Sequence, residues 1–168
     1  VEAVLALPHM GAAYAGQLRT RAAAYSQQRA AAAPENPFGV PITRRGWAGN
    51  GAVVRFATTA YYLHVAFPEL FPSTDVLRGL EYLHGRHPAS DISFVSGVGA
   101  ESKRVAYGNN RADFSFIAGG VVPGVLILQP DFPENKEDWP FLWGENEYVI
   151  ALGASYLFLA QAGDAVLD

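Results

Sequence analysis

The sequence predicts an all-α domain whose helices are joined by long irregular loops. Three observations carry this reading. The first 33 residues are rich in alanine, arginine and glutamine, all strong helix formers. Apolar residues then recur at helical spacing between positions 52 and 83, and an apolar stretch over 148–159 closes the chain. Between them, residues 87–144 are so punctuated by glycine and proline that only brief strands fit. A chain of 168 residues, 50% hydrophobic, is long enough to bury one core.

Taken in order, Pro8 and Gly11 break the opening segment, leaving a helix over 10–32 with Leu18, Ala22 and Tyr25 on its buried side. Its arginines, Arg19, Arg21 and Arg29, read as a solvated face. Three prolines and a glycine within 34–41 enforce a loop. Asn50 is placed to cap a second helix over 52–66, whose apolar residues cover most of its circumference and call for packing on several sides. Ser73 or Thr74 caps a third helix with Leu77, Leu80, Tyr82 and Leu83 buried, ending at Gly85. Residues 91–98 and 121–128 are the candidate strands. A fourth helix is expected over 146–162.

Composition excludes several classes of function. Twelve basic against sixteen acidic residues give a mildly acidic chain, without the positive footprint that nucleic acid requires. With no cysteine there is no disulfide, thiolate nucleophile or cysteine-bound metal. No apolar run reaches the roughly 20 residues of a membrane span, and no signal-peptide pattern opens the chain. Gly-x-Ser-x-Gly is absent, which removes the usual serine hydrolase reading. His84 and His87 stand three apart, but Gly85 ends the helix between them and no third ligand lies nearby, which argues against zinc.

The chemistry concentrates at the end of the irregular segment. Trp139, Phe141 and Trp143 precede Glu145 and Glu147, where the last helix is expected to begin. An acid held beside aromatic rings has a reason to keep its proton, because burial disfavours the charged form. A helix N-terminus favours the ionised form instead, so Glu147 reads either as a general acid or as a first-turn carboxylate satisfying the helix dipole.

Four stretches, in order, carry a family resemblance. Trp47 to Asn50 (Trp-Ala-Gly-Asn) is similar to a Trp-Gly-Ser-Asn motif. Leu80 to Pro88, ending Gly-Arg-His-Pro, and Ser93 to Gly99 resemble a helix end, Gly-Arg-Asn-Pro, then Ser-Tyr-Val-Thr-Gly-x-Gly. Gly119 to Leu126 looks like a Gly-Ala-Leu-Val-Gly-Gly-Pro region, and Asn146-Glu147 like a terminal Asn-Glu signature. Together they resemble family 9 glycoside hydrolases over about residues 47–160.

The resemblance implies the C-terminal portion of an (α/α)6 barrel, with residues 1–168 forming the C-terminal part of a glycoside hydrolase catalytic domain. It implies inverting hydrolysis of β-linked glycosidic bonds in a glucan-type oligo- or polysaccharide, of cellulase or β-glycosidase kind. It places Glu147 at the general acid. The family's base, an Asp of an N-terminal Asp-Ala-Gly-Asp motif, has no counterpart here; Gln161 to Asp164 echoes it in the wrong place. Inversion needs two carboxyl groups roughly 6.5–9.5 Å apart, so the base is expected on a further N-terminal segment or complementary chain. Arg111 aligns with the arginine of the family's His-His-Arg, with Asn109 and Asn110 replacing the histidines. That change, with Phe94 for tyrosine and His87 for asparagine, implies a shorter or differently decorated β-linked glucan or a glucosaminide.

Trp47, Tyr107, Trp139 and Trp143 are candidates to stack on pyranose rings, with core packing as the alternative for each. No cofactor is required. Structural calcium is implied by the family, and Asp91, Asp113, Asp131 and Asp138 offer oxygen ligands. The family also implies a secreted or periplasmic setting. Part of a barrel would expose apolar helix faces, so association with the complementary part is expected. The competing reading is a non-catalytic carbohydrate-binding or scaffold fragment that keeps the aromatic loops.

Overall fold

The computed structural model describes residues 11–32, 38–41, 49–87, 91–104, 116–124 and 146–168. Among them are the helices α1 (Ala12–Ala32), α2 (Gly49–Ala66), α3 (Thr74–Leu83) and α4 (Ile150–Ala165), and the two-residue strands β1 (Ile92–Ser93) and β2 (Glu101–Ser102). Among the described residues, the expected order of helices is the observed one.

The main core lies between α2, α3 and α4. Val53, Val54, Ala57 and Ala60 meet Val76, Tyr82 and Leu83, and Leu152, Tyr156, Leu159 and Ala162 close the group. Small residues let these helices come close: a Cβ on Gly79 would stand 2.4 Å from the Ala57 Cβ. In the third helix Val76, Gly79, Tyr82 and Leu83 are buried, whereas the expected Leu77 and Leu80 are half-buried flanks of that stripe. Ser73 occupies the N-cap position but makes no capping side-chain bond. The helix does end at its glycine, with Gly85 at φ +102° and His84 N–H closing on Leu80 O at 2.9 Å.

α1 covers a smaller cluster formed by Ala22, Leu63 and Phe71. Of its expected buried stripe only Ala22 is enclosed; Leu18 is half-buried and Tyr25 is 40% exposed, because the helix meets its neighbours along one edge. Arg19 and Arg21 are exposed, as a solvated face requires, but Arg29 is not. Its side chain is 11% exposed, lies 4.1 Å over the Phe56 ring and pairs with Asp75 at 2.9 Å. Burial lowers its pKa, and the Asp75 carboxylate works in the opposite direction.

α4 departs most from expectation. It begins at Ile150, with Val149 at the cap in extended backbone (φ −114°, ψ 115°), and Gly153 N–H closes on Val149 O at 2.9 Å. Glu147 therefore precedes the first turn, and the first turn carries no acid. The helix is apolar on nearly all sides: Leu152, Tyr156 and Leu159 face the core, while Ile150 and Leu157 remain 85% and 67% exposed. Among the described residues, no helix is long and apolar enough to cross a membrane.

Candidate functional site

Glu147 is half-buried in the lead-in to α4, next to Asn146, which is fully buried. It is the carboxylate that the sequence singles out, and it stands beside a platform built from two loops. The first loop runs from β1 to β2. These strands pair in parallel, Ile92 with Glu101 and Ser93 with Ser102. Of the candidate strand over 91–98 only Ile92–Ser93 is regular, and Val95 forms an isolated antiparallel bridge with Val121 in the second loop. The described part of the second candidate strand contributes that bridge.

Polar atoms fix this platform. Phe94 N–H donates to Leu83 O at 2.8 Å, tying the loop to the end of α3. Val122 N–H donates to Phe94 O at 3.0 Å, and Ser96 N–H donates to Gly120 O at 2.9 Å. The Ser93 hydroxyl is fully buried; it accepts from Val95 N–H at 3.1 Å and lies within 3.3 Å of Leu83 O.

Asn50 joins the platform to α2, in a role other than the expected cap. It lies inside the helix, fully buried, and its Nδ2 donates to Val122 O at 2.8 Å. Backbone N–H groups of Gly49 and Asn50 donate to Gly124 O and Pro123 O at 3.0 and 2.7 Å. Two donors of the helix start are thus satisfied by loop carbonyls.

Tyr148, directly after Glu147, reaches across to both loops. Ile117 N–H donates to its hydroxyl at 3.1 Å, and that hydroxyl is 2.8 Å from Ser96 Oγ. Ser96 spends its own proton on Lys103 O at 2.7 Å, so Tyr148 donates to Ser96. A continuous chain of hydrogen bonds results, from Ile117 through Tyr148 and Ser96 to Lys103. Adjacency to Glu147 is the one sequence signal that could have flagged Tyr148.

The two histidines occupy different settings. His84 Nε2 is 2.8 Å from the Tyr156 hydroxyl, joining α3 to α4. His87 is 5% exposed among the rings of Phe38, Tyr82 and Phe94, and neither of its nitrogens makes a hydrogen bond of ordinary geometry. Burial drives its pKa down to about 4, against the raising influence of the Ile92 backbone and Asp91.

Trp47, Tyr107, Asn109, Asn110, Arg111, Trp139 and Trp143 lie outside the described residues, as do Asp113, Asp131 and Asp138. Asp91 is exposed, and the described residues hold no group of three metal-ligating side chains.

No protein-family profile and no curated protein matches the sequence. Solved structures do. AaCel9A, solved in complex with cellobiose-like isofagomine, superposes with a TM-score of 0.76 at 20% identity, over 98% of this chain and 34% of that one. A Bacteroides ovatus GH9 protein superposes with a TM-score of 0.73 at 20% identity, over 94% of this chain and 30% of its own. The fold is that of family 9 glycoside hydrolases. The chain spans about a third of the length of these structures. Its helices and loop platform correspond to part of the family 9 helical fold, as the four sequence stretches imply.

Proposed function

We propose that this chain is the C-terminal part of an inverting β-glycosidase acting on a β-linked glucan-type oligo- or polysaccharide, with Glu147 as its general acid. The observation that carries the reading is the family 9 fold over 98% of the chain, with Asn146-Glu147 in the lead-in to a packed helix beside a hydrogen-bonded loop platform. Lying outside the first turn of α4, Glu147 is not accounted for as a dipole-satisfying carboxylate.

In this mechanism Glu147 protonates the departing glycosidic oxygen while an aspartate from a further N-terminal segment removes a proton from the attacking water on the opposite face of the sugar. Arg111, Asn109 and Asn110 hydrogen-bond sugar hydroxyls, and Trp47, Tyr107, Trp139 and Trp143 supply stacking faces. AaCel9A, solved with a cellobiose-like ligand, supports a β-linked saccharide as the substrate class.

Glu147→Gln tests the assignment in the full protein. Hydrolysis of unactivated β-glucan is expected to fall by about 10²- to 10⁴-fold with saccharide binding retained. Aryl glycosides with good leaving groups should lose much less, because they need little proton assistance. Equal rates for Glu147→Gln and the parent on unactivated substrate would overturn the assignment. Saccharide binding without turnover in the parent protein would favour the carbohydrate-binding reading, in keeping with a chain that matches one of the two required carboxylates.

A further inference from the structure

We infer that Tyr148 is a positioning residue for Glu147, setting where the acid stands by anchoring the next residue to both loops; this rests on the acid role proposed above. Glu147 precedes α4, so the helix ladder does not hold its backbone. The Tyr148 side chain ties the lead-in to both loops. Its hydroxyl receives the Ile117 N–H at 3.1 Å and donates to Ser96 at 2.8 Å, and Ser96 donates in turn to Lys103 O at 2.7 Å.

The ring is fixed as closely as the hydroxyl. Gly120 leaves the space it occupies: a Cβ there would stand 2.5 Å from Tyr148 Cε1 and 2.7 Å from Cδ1. The turn that carries Gly120 is held independently, by Gly120 N–H on Ile117 O at 2.8 Å and Gly119 N–H on Ser96 O at 2.7 Å. The lead-in beyond is extended at Val149, and side chains of extended backbone alternate in direction. Locking Tyr148 onto the loops therefore fixes the direction available to Glu147. Acid catalysis depends on this, since displacing a reacting group by about 1 Å can cost about a hundredfold in rate.

The experiment compares Tyr148→Phe, Ser96→Ala, their double variant and Gly120→Ala in the full protein, with Glu147→Gln alongside. Tyr148→Phe is expected to lower kcat on β-glucan about ten- to hundredfold with KM little changed, and to speed hydrogen exchange at the Ile117 amide. The double variant should be no worse than the poorer single one, as members of one network are not additive. Gly120→Ala should reproduce the kcat loss with the hydroxyl intact, which covers the case of a poorly folding Tyr148→Phe. Full kcat in Tyr148→Phe while Glu147→Gln is inactive, or unchanged protection at Ile117, would overturn the inference about Tyr148 alone. Turnover surviving in Glu147→Gln would instead remove the acid assignment, and the positioning role with it.

Discussion

The packed helices α2, α3 and α4 and the loop platform beside Glu147 are both buried, yet different forces hold them. Between the helices almost every contact is apolar, with Val53, Ala57, Val76, Leu83 and Leu159 all at 0% exposure. In the platform, buried Phe94, Val95, Val121 and Val122 supply apolar area too, but their positions are fixed by Ser93, Ser96 and Asn50 bonding to particular backbone atoms. Burial energy is non-directional and tolerates small shifts; hydrogen bonds in a dry interior do not. A loop region whose side chains must keep fixed positions belongs with the second kind.

The largest effect on stability should come from the helical side. Leu159→Ala removes a fully enclosed side chain and is expected to cost about 3 kcal/mol, read from the denaturation midpoint, with the loop hydrogen bonds left in place. Loss of Ile117 amide protection ahead of global unfolding in this variant would break the distinction between the two regions.

Acid should test the junction where Phe38, Tyr82 and Phe94 enclose His87. The unfolded chain takes up a proton near pH 6.5, and the folded one resists until about pH 4. The unfolded state binds more protons between these values, so this contribution is full above pH 6.5 and is lost as pH falls toward 4. The loss should reach roughly 3 kcal/mol. His87→Phe should flatten that part of the stability profile; an unchanged slope would show that His87 is not its source.

A smaller cost is expected from Asn50→Ala, which leaves the buried Val122 carbonyl without its side-chain donor and should destabilise by about 2 kcal/mol. The comparison is sharpened if this variant loses more activity than Leu159→Ala while losing less stability. The smallest effect belongs to Ser73→Ala, expected below about 0.5 kcal/mol because Ser73 makes no capping bond. A loss near 1 kcal/mol in thermal unfolding would restore its role as a cap.

Much of the helical half was legible in the sequence. Periodicity located α2 and α3, Gly85 marked the end of α3, and the apolar run over 148–159 announced a packed helix. The misjudged points have physical causes. Asn50 has the chemistry of a cap, but it lies inside α2 and its side chain bonds the Val122 carbonyl, and no local pattern reports a partner some 72 residues away. Arg29 looked like a surface charge because its acceptor Asp75 and its ring partner Phe56 are supplied by other helices. Glu147 was singled out by motif resemblance, and its position outside the first turn depended on where α4 begins.

By itself the sequence determined the order of the described helices and the exclusion of cysteine chemistry. These follow from short-range preferences and residue inventory, which need no knowledge of distant neighbours. The tertiary structure alone decided that Asn50 tethers instead of caps, that Arg29 packs on Phe56 and pairs with Asp75, and that Tyr148 closes a hydrogen-bonded chain from Ile117 to Lys103. Each of those depends on which backbone atoms from remote segments share a dry interior, where a polar group must find a partner wherever the fold supplies one.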